Sequence, residues 1–174
     1  MITLAKDFNF SLGTEADEYY RGVRRFKNIS GHKKPETKPA AVAYMESRGI
    51  SEEVTNRYNL TVQREHENVL VFPFYDEQDQ LQFVKYRKTD FDKEKDSAKE
   101  WCEKDCKTIL FGMNHCNMEN ETLIITEGQI DSLSLVEAGI ENAVSVPTGA
   151  NGFTWVPHCW DFLKRFKTIP AMRH

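Results

Sequence analysis

The chain has 174 residues, about the length of one domain, with 40% hydrophobic and 29% charged residues. This balance excludes a disordered chain. The 23 Lys and Arg and 27 Asp and Glu residues give a net charge of −4, which excludes a protein that coats nucleic acid by charge alone. Because no apolar run could span a bilayer and no secretory signal is evident, we expect a cytoplasmic location without membrane contact.

The four cysteines are expected to be free thiols, as is usual for intracellular proteins. A zinc site built from Cys102, Cys106, His115 and Cys116 is disfavoured, because the spacing fits no common zinc pattern and adjacent ligands are difficult to place on one tetrahedron. Cys159 is expected in the core rather than as a nucleophile.

Basic residues are concentrated near the N-terminus. Residues 21–38 contain seven Lys and Arg and one acid, Glu36, for a local net charge of +6. Together with Gly31 and Pro35, this composition predicts that residues 1–37 form a basic arm or linker with little core of its own. A solvated tether is the favoured interpretation, and an arm that contacts phosphates is the alternative.

Residues 39–58 are predicted to form two short helices. Pro39 suits a first helical turn, Gly49 suits a helix end, and Ser51 is a good N-cap for the second helix. The two glutamates that follow Ser51 would face phosphates in a DNA-reading helix-turn-helix, so structural packing is the better interpretation.

Two β-strands are predicted at 69–75 and 81–87, joined by a polar turn. Pro73 indicates an edge position or a bulge in the first strand. Residues 89–107 are highly charged but nearly balanced in sign, which predicts a mobile loop with room for a short helical piece.

Three cations end the second strand. Alternation places Lys85 and Arg87 on the same face, and Lys88 follows. Neighbouring cations of this kind favour anion binding, and an exposed polar face is the equally supported alternative.

From residue 121 the pattern alternates between buried strands and amphipathic helices. The predicted elements are a strand at 122–126, a helix ended by Gly139, a strand at 143–147, a helix at 155–165 and a third strand that begins at 167–169. Short connections between them predict a parallel α/β sheet.

The residues most suited to chemistry follow the first of these strands. Glu127 lies at its carboxyl end, where open α/β sheets place their sites, and Gly128 allows a tight turn. Asp131 falls in the first helical turn, so both carboxylates can point at one volume and suit Mg²⁺. That both acids merely favour a helix N-terminus is the equally supported alternative.

These segments resemble a known family. TEGQIDSLSLVEAG followed by NAVSVPTG resembles the glutamate motif of the TOPRIM domain, the metal-binding module of bacterial-type primases, topoisomerases and some nucleases. AVAYMESRGISEEVTNRYNL, VLVFPFYDEQDQLQFVKYRK and ILFGMNH are similar to the helical entry, the β-hairpin and the return segment of bacterial and phage DNA primases. The ordered match covers about residues 39–169 and is most similar to helicase-primases of phages and mobile elements.

The resemblance implies specific roles. Glu127 would be the catalytic or metal-positioning acid with Asp131 in support, and the cofactor would be Mg²⁺ or Mn²⁺. Lys85, Arg87 and Lys88 would contact the nucleoside triphosphate or the single-stranded DNA template. The implied reaction is RNA-primer synthesis by nucleotidyl transfer, in partnership with a replicative helicase.

The implied fold class is α/β, or α+β overall. A basic arm at 1–37 would precede a helical and β-hairpin subdomain at 38–118 and a partial TOPRIM parallel-sheet core at 119–174. TOPRIM domains carry an Asp-x-Asp pair after the third strand, and no Asp follows Asp161 here. We therefore expect a C-terminally truncated fragment that binds metal weakly and is inactive alone.

Two alternatives stay open. A non-catalytic DNA-binding or regulatory module of a phage or mobile element would use the basic arm for salt-dependent DNA contacts. A TOPRIM nuclease would need the same absent acids, and the primase-like segment before residue 110 disfavours it.

Overall fold

The computed structural model of the chain describes residues 26–149 and 152–172, which form an antiparallel sheet with two helices and a smaller parallel sheet with two more. This confirms the predicted mixture of α+β and α/β architecture. In chain order the elements are α1 (Pro39–Glu46), α2 (Glu52–Arg57), β1 (Thr61–Val62), β2 (Val69–Tyr75), β3 (Leu81–Lys88), β4 (Glu100–Cys102), a 3-10 turn (Met113–His115), β5 (Ile124–Thr126), α3 (Gln129–Glu137), β6 (Ala143–Ser145), α4 (Val156–Leu163) and β7 (Ala171–Met172).

The two N-terminal helices form where the sequence predicts them. Ser51 caps α2, because its hydroxyl accepts a hydrogen bond from the Val54 N–H at 3.3 Å. Gly49 has a φ of +77°, the left-handed conformation that ends the α1 turn with little strain. Ala41 and Met45, one turn apart on α1, are fully buried, so this helix contributes directly to the core.

The antiparallel sheet has the strand order β1-β2-β3-β4. The backbone N–H and carbonyl of Val69 bond to residues on the side of β2 where β1 lies. Backbone polar groups point to the same side at every second residue of a strand, so the nitrogen of Pro73 also faces the β1 side. Strand β1 pairs only with Leu70 and Val71 and ends before Pro73, so no carbonyl of β1 lacks a donor because of the proline. Strand β2 lies inside the sheet rather than at its edge, and Pro73 itself pairs with Val84. The register of β2 against β3 shifts one residue further on, between Phe74 and Tyr75, rather than at the proline.

The prediction of a loop throughout 89–107 is wrong at β4. Residues Glu100–Cys102 form an edge strand that pairs with Lys85, Tyr86 and Arg87 of β3. No helix occurs in this segment, which lies wholly within the described residues. A three-residue strand carries too little periodicity to be recognised in the sequence, and it forms only because it pairs with β3.

The smaller sheet is parallel, in the order β6-β5-β7, as the alternation of strands and helices predicts. Gly139 has a φ of +87°, the left-handed conformation that stops the helix just after the end of α3. The third strand begins later than predicted: Thr168 forms an isolated bridge to Thr122, and β7 itself starts at Ala171.

The two sheets are joined through residues 109–112. Phe111 forms an antiparallel bridge with Ser145 of β6, so the segment adds an edge to the parallel sheet. Its ring also packs edge-on against Phe72 and Phe74 of β2. One continuous hydrophobic core results, which fixes the parallel sheet to the antiparallel one.

The described part of the predicted basic arm, residues 26–38, is anchored to the rest of the protein. Ile29 is buried in the core, and the Lys27 N–H bonds to the Asp105 carbonyl at 2.7 Å. Lys34 forms an ion pair with Asp79 at 3.0 Å. The segment therefore packs along the body of the protein, and the rest of the predicted arm lies outside the described residues.

Candidate acidic site and cationic face

Glu127 lies where the sequence predicts it, immediately after β5, the central strand of the parallel sheet. Its side chain is partly exposed, and among the described residues no ion pair or hydrogen bond engages its carboxylate. A carboxylate in this position is available to a cation or to a ligand at the carboxyl edge of the sheet.

Gly128 is needed for close packing rather than for a special φ. It is the N-cap residue of α3 with φ −105° and ψ 146°, an ordinary extended conformation. A Cβ added here would lie 2.5 Å from Oδ2 of Asp131. The Asp131 carboxylate is thus turned back over the backbone at the N-terminal end of α3, toward the turn that carries Glu127.

Buried hydrogen bonds fix this turn. The Thr126 hydroxyl donates to the Gly128 carbonyl at 3.0 Å, and the Ser132 N–H bonds to the same carbonyl at 3.2 Å. The Gln129 amide, which is buried, donates to the Ser145 hydroxyl at 3.1 Å and to the Val146 carbonyl at 2.8 Å. The start of α3 is therefore tied to the end of β6, which limits how far Glu127 and Asp131 can move.

Lys85 and Arg87 lie side by side on β3, as alternation predicts, and one carboxylate binds both. Lys85 Nζ lies 2.8 Å from Glu100 Oε2, and Arg87 Nη1 lies 2.8 Å from Glu100 Oε1. Burial favours the neutral acid, but hydrogen bonds and charge from Lys85 and Arg87 hold the pKa of Glu100 below its usual value. Glu100 could not be identified from the sequence, because only the pairing of β4 with β3 places its charge opposite the two cations.

Lys88 also has a carboxylate partner, since it forms an ion pair with Asp96. Hydrogen bonding from the Asp92 N–H and from Lys88 lowers the pKa of Asp96. All three cations predicted to contact nucleotide or nucleic acid therefore pair with acids of residues 96–100. Their proposed ligand contacts stay a prediction.

The disfavoured zinc set does not assemble. Across residues 26–149 and 152–172, no three Cys, His, Asp or Glu residues group in a way that could hold a metal ion. Burial raises the pKa of Cys116 to about 12 and lowers that of His115 to about 4. A thiol this hard to ionise is a poor zinc ligand and a poor nucleophile.

Two curated relatives match the chain in sequence. A primase homolog protein of Arabidopsis thaliana is 27% identical over 141 residues, which cover 72% of this chain and 40% of the relative. A chloroplastic/mitochondrial Twinkle homolog protein of the same plant is 30% identical over 143 residues, which cover 72% of this chain and 19% of the relative. The chain thus spans two-fifths or less of these relatives. No family model matches it.

Solved structures match the fold. The zinc-binding and RNA polymerase domains of Aquifex aeolicus primase superpose with a TM-score of 0.62 at 20% identity, over 78% of this chain and 42% of that one. A DnaG primase catalytic domain bound to single-stranded DNA gives a TM-score of 0.55 at 19% identity, over 76% and 55%. The bacteriophage T7 primase domains, bound to an RNA/DNA hybrid and dTTP, give 0.55 at 24% identity, over 73% and 56%.

The chain is primase-like in sequence and in fold. The predicted resemblance to primases is therefore confirmed for the fold and by the relatives. No helix in the described part of this primase-like chain is long and apolar enough to cross a membrane.

The acidic edge of the primase-like fold fits a magnesium ion by its chemistry. Mg²⁺ is held in proteins by one or two carboxylates together with substrate phosphates and water. Glu127 and Asp131 present two carboxylates beside a turn that hydrogen bonds keep in place. The donor set fits an ion shared with a nucleotide rather than one enclosed by protein ligands.

Proposed function

We propose that the chain is part of a DNA primase or helicase-primase and contributes to RNA-primer synthesis by metal-dependent nucleotidyl transfer. The observation that supports this most strongly is the position of Glu127. Its carboxylate, which no residue in the described part of the chain engages, follows the central strand of a parallel sheet in a primase-like fold, and Asp131 is turned back toward the same turn.

In the proposed reaction, a 3′-hydroxyl attacks the α-phosphate of a nucleoside triphosphate and pyrophosphate leaves. Glu127 and Asp131 would hold Mg²⁺ or Mn²⁺, which supplies charge neutralisation at the phosphates when bound. The protein's own contribution is to fix both carboxylates at the sheet edge through the Thr126 and Gln129 hydrogen bonds. Lys85 and Arg87 would attract the triphosphate or the template backbone.

The proposed partners are a single-stranded DNA template, nucleoside triphosphates and a replicative helicase. The structural neighbours support the first two, since one is bound to single-stranded DNA and another to an RNA/DNA hybrid and dTTP. The match to a Twinkle homolog supports a helicase connection. Because the chain spans only part of these proteins, each partner is a proposal.

A priming assay tests the function. Labelled ribonucleotides are incubated with a single-stranded template, Mg²⁺ or Mn²⁺, and the 174-residue chain. We expect weak product, because the sequence supplies only one of the two TOPRIM acidic motifs, and we expect Glu127→Gln to abolish it. Robust synthesis would contradict the expected weakness, and full synthesis by Glu127→Gln would contradict the role of this carboxylate.

The alternative, a non-catalytic DNA-binding or regulatory module that uses the basic arm, has weaker support. Lys27 and Lys34 already pair with Glu103 and Asp79, and the Lys38 ammonium bonds to the Gln63 carbonyl at 3.3 Å. Cations engaged in this way contribute less to phosphate binding than free ones. DNA binding measured at several salt concentrations tests this alternative. If changing these three lysines to Gln removes the salt dependence, the result would favour the DNA-binding module over the primase.

A further inference from the structure

Glu100 occupies an unusual position between two cations. Its two carboxylate oxygens bind one cation each, Lys85 at 2.8 Å and Arg87 at 2.8 Å. A phosphate group presents oxygens to neighbouring cations in the same way. The carboxylate of β4 therefore takes the position that a phosphate would take on this face.

The charges around Glu100 do not balance locally. Two cations share one anion, so the group of three keeps a net charge of +1. Lys85 is buried, which makes loss of its counterion costly unless another anion replaces it. Arg87 also has an Nε that is buried without a hydrogen-bond partner among the described residues. The pair of cations thus has unused capacity for a further acceptor oxygen.

Glu100 is the member of the group that can leave most readily. Its side chain is 32% exposed, compared with 8% for Lys85 and 21% for Arg87. It lies at the start of β4, a three-residue strand at the edge of the sheet. A side-chain rotation at this edge would release the carboxylate to solvent without disturbing the core.

We propose that Glu100 is an internal counterion which a phosphate of the nucleotide or template displaces from Lys85 and Arg87, and which thereby sets the affinity and salt sensitivity of this face. The inference rests on the proposed function, because it assumes that phosphates bind here. It adds that Glu100 neutralises one of the two positive charges of the unliganded face, so that ligands able to replace a carboxylate bind most tightly.

The chain contains a matched control. Glu103 follows β4 and pairs with Lys27 at 2.7 Å, while its second oxygen lies 3.5 Å from the Tyr86 hydroxyl. Tyr86 lies between Lys85 and Arg87 on β3, so its side chain points to the opposite face of the sheet. Glu103→Gln therefore changes net charge by the same amount as Glu100→Gln but frees a cation on the other side.

The test is fluorescence anisotropy with a fluorescein-labelled oligodeoxythymidylate, titrated at several salt concentrations. We expect Glu100→Gln to bind about fivefold more tightly at low salt and to show a steeper salt dependence, because the two cations become available to phosphate. Glu103→Gln should change affinity less than twofold. Equal effects of the two variants, or weaker binding by Glu100→Gln, would overturn the proposal.

A double variant separates this inference from the proposed function. Adding Arg87→Gln to Glu100→Gln should remove the gain in affinity, since the phosphate then lacks its second cation. If Arg87→Gln alone weakens oligonucleotide binding but Glu100→Gln brings no gain, the face binds phosphate and only the counterion role fails. If Arg87→Gln alone has no effect, phosphates do not bind here, and the assignment of this face in the proposed function fails as well.

Discussion

Replacement of Gly128 by alanine should separate the stability of the fold from the competence of the acidic site. The new Cβ would meet Oδ2 of Asp131 at 2.5 Å and its Cγ at 3.3 Å, so the carboxylate has to retreat. The backbone itself tolerates alanine, because its φ of −105° is unstrained. Alanine lowers the conformational entropy of the unfolded chain, which stabilises the fold, but it is a poorer N-cap residue than glycine, which destabilises it. These two effects oppose each other, so we expect the free energy of unfolding to change by less than about 1 kcal/mol.

The effect on metal binding should be larger. Ligand positions matter to a few tenths of an ångström, and the Asp131 carboxylate must move by about half an ångström or more to relieve the contact. We expect Mn²⁺ to bind about tenfold more weakly, a loss within the range seen when the surroundings of a metal ligand are disturbed. Urea unfolding of Gly128→Ala, with and without Mn²⁺, measures both quantities.

Gly31→Ala is the matched control, because nothing lies within 4 Å of a Cβ added there. It should leave the stabilisation by Mn²⁺ unchanged. Gly128→Ala could instead keep the full stabilisation by Mn²⁺ while Asp131→Asn loses it. The Asp131 carboxylate would then bind the metal in a position other than the one it has here, against the Gly128 backbone. A loss of several kcal/mol in the absence of metal would refute the claim that the turn tolerates a side chain.

Three further predictions concern the framework of the site. Glu137→Ala should destabilise the fold by about 1–2 kcal/mol, because Glu137 accepts hydrogen bonds from the Ser51 N–H and hydroxyl at 2.9 and 2.8 Å; Glu141→Ala is the control in thermal unfolding. Gln129→Leu should lower the free energy of unfolding by about 1–3 kcal/mol, since it leaves the Ser145 hydroxyl and the Val146 carbonyl without their buried donor. Urea unfolding measures this loss, and an unchanged stability would contradict the prediction. Burial lowers the pKa of His115 to about 4, so the unfolded chain gains a proton first as pH falls. Stability should then drop by about 2 kcal/mol between pH 6.5 and 4, and His115→Asn should flatten this slope in unfolding titrations.

Local signals were sufficient to predict most of the fold. Pro39, Gly49 and Ser51 mark the helix boundaries that the structure has, and the short connections after residue 121 predict the parallel sheet. Strand β4 could not be predicted, because Glu100 and Trp101 gain their strand conformation from pairing with β3. Composition likewise could not reveal that the described part of the basic segment packs against the rest of the protein. This packing depends on one side chain, Ile29, which is buried in the core.

The acidic half of the site was more accessible to sequence reasoning than the cationic half. Glu127 is placed by the end of a strand, a local feature, and the position is confirmed. The role of Gly128 as space for the Asp131 carboxylate depends on a side-chain direction that spacing alone does not give. Glu100 is 13 residues from Arg87, and only the sheet register brings them together.

The central claim is that the carboxylate of Glu127 binds a divalent cation together with nucleotide phosphates. Calorimetric titration of the preformed complex of Mn²⁺ with a non-hydrolysable nucleoside triphosphate into the chain measures this directly. We expect a binding isotherm for the natural sequence, its loss in Glu127→Gln, and its retention in Glu121→Gln, which removes an exposed acid just before the same strand. Equal Mn²⁺ binding by Glu127→Gln and the natural sequence would contradict the account.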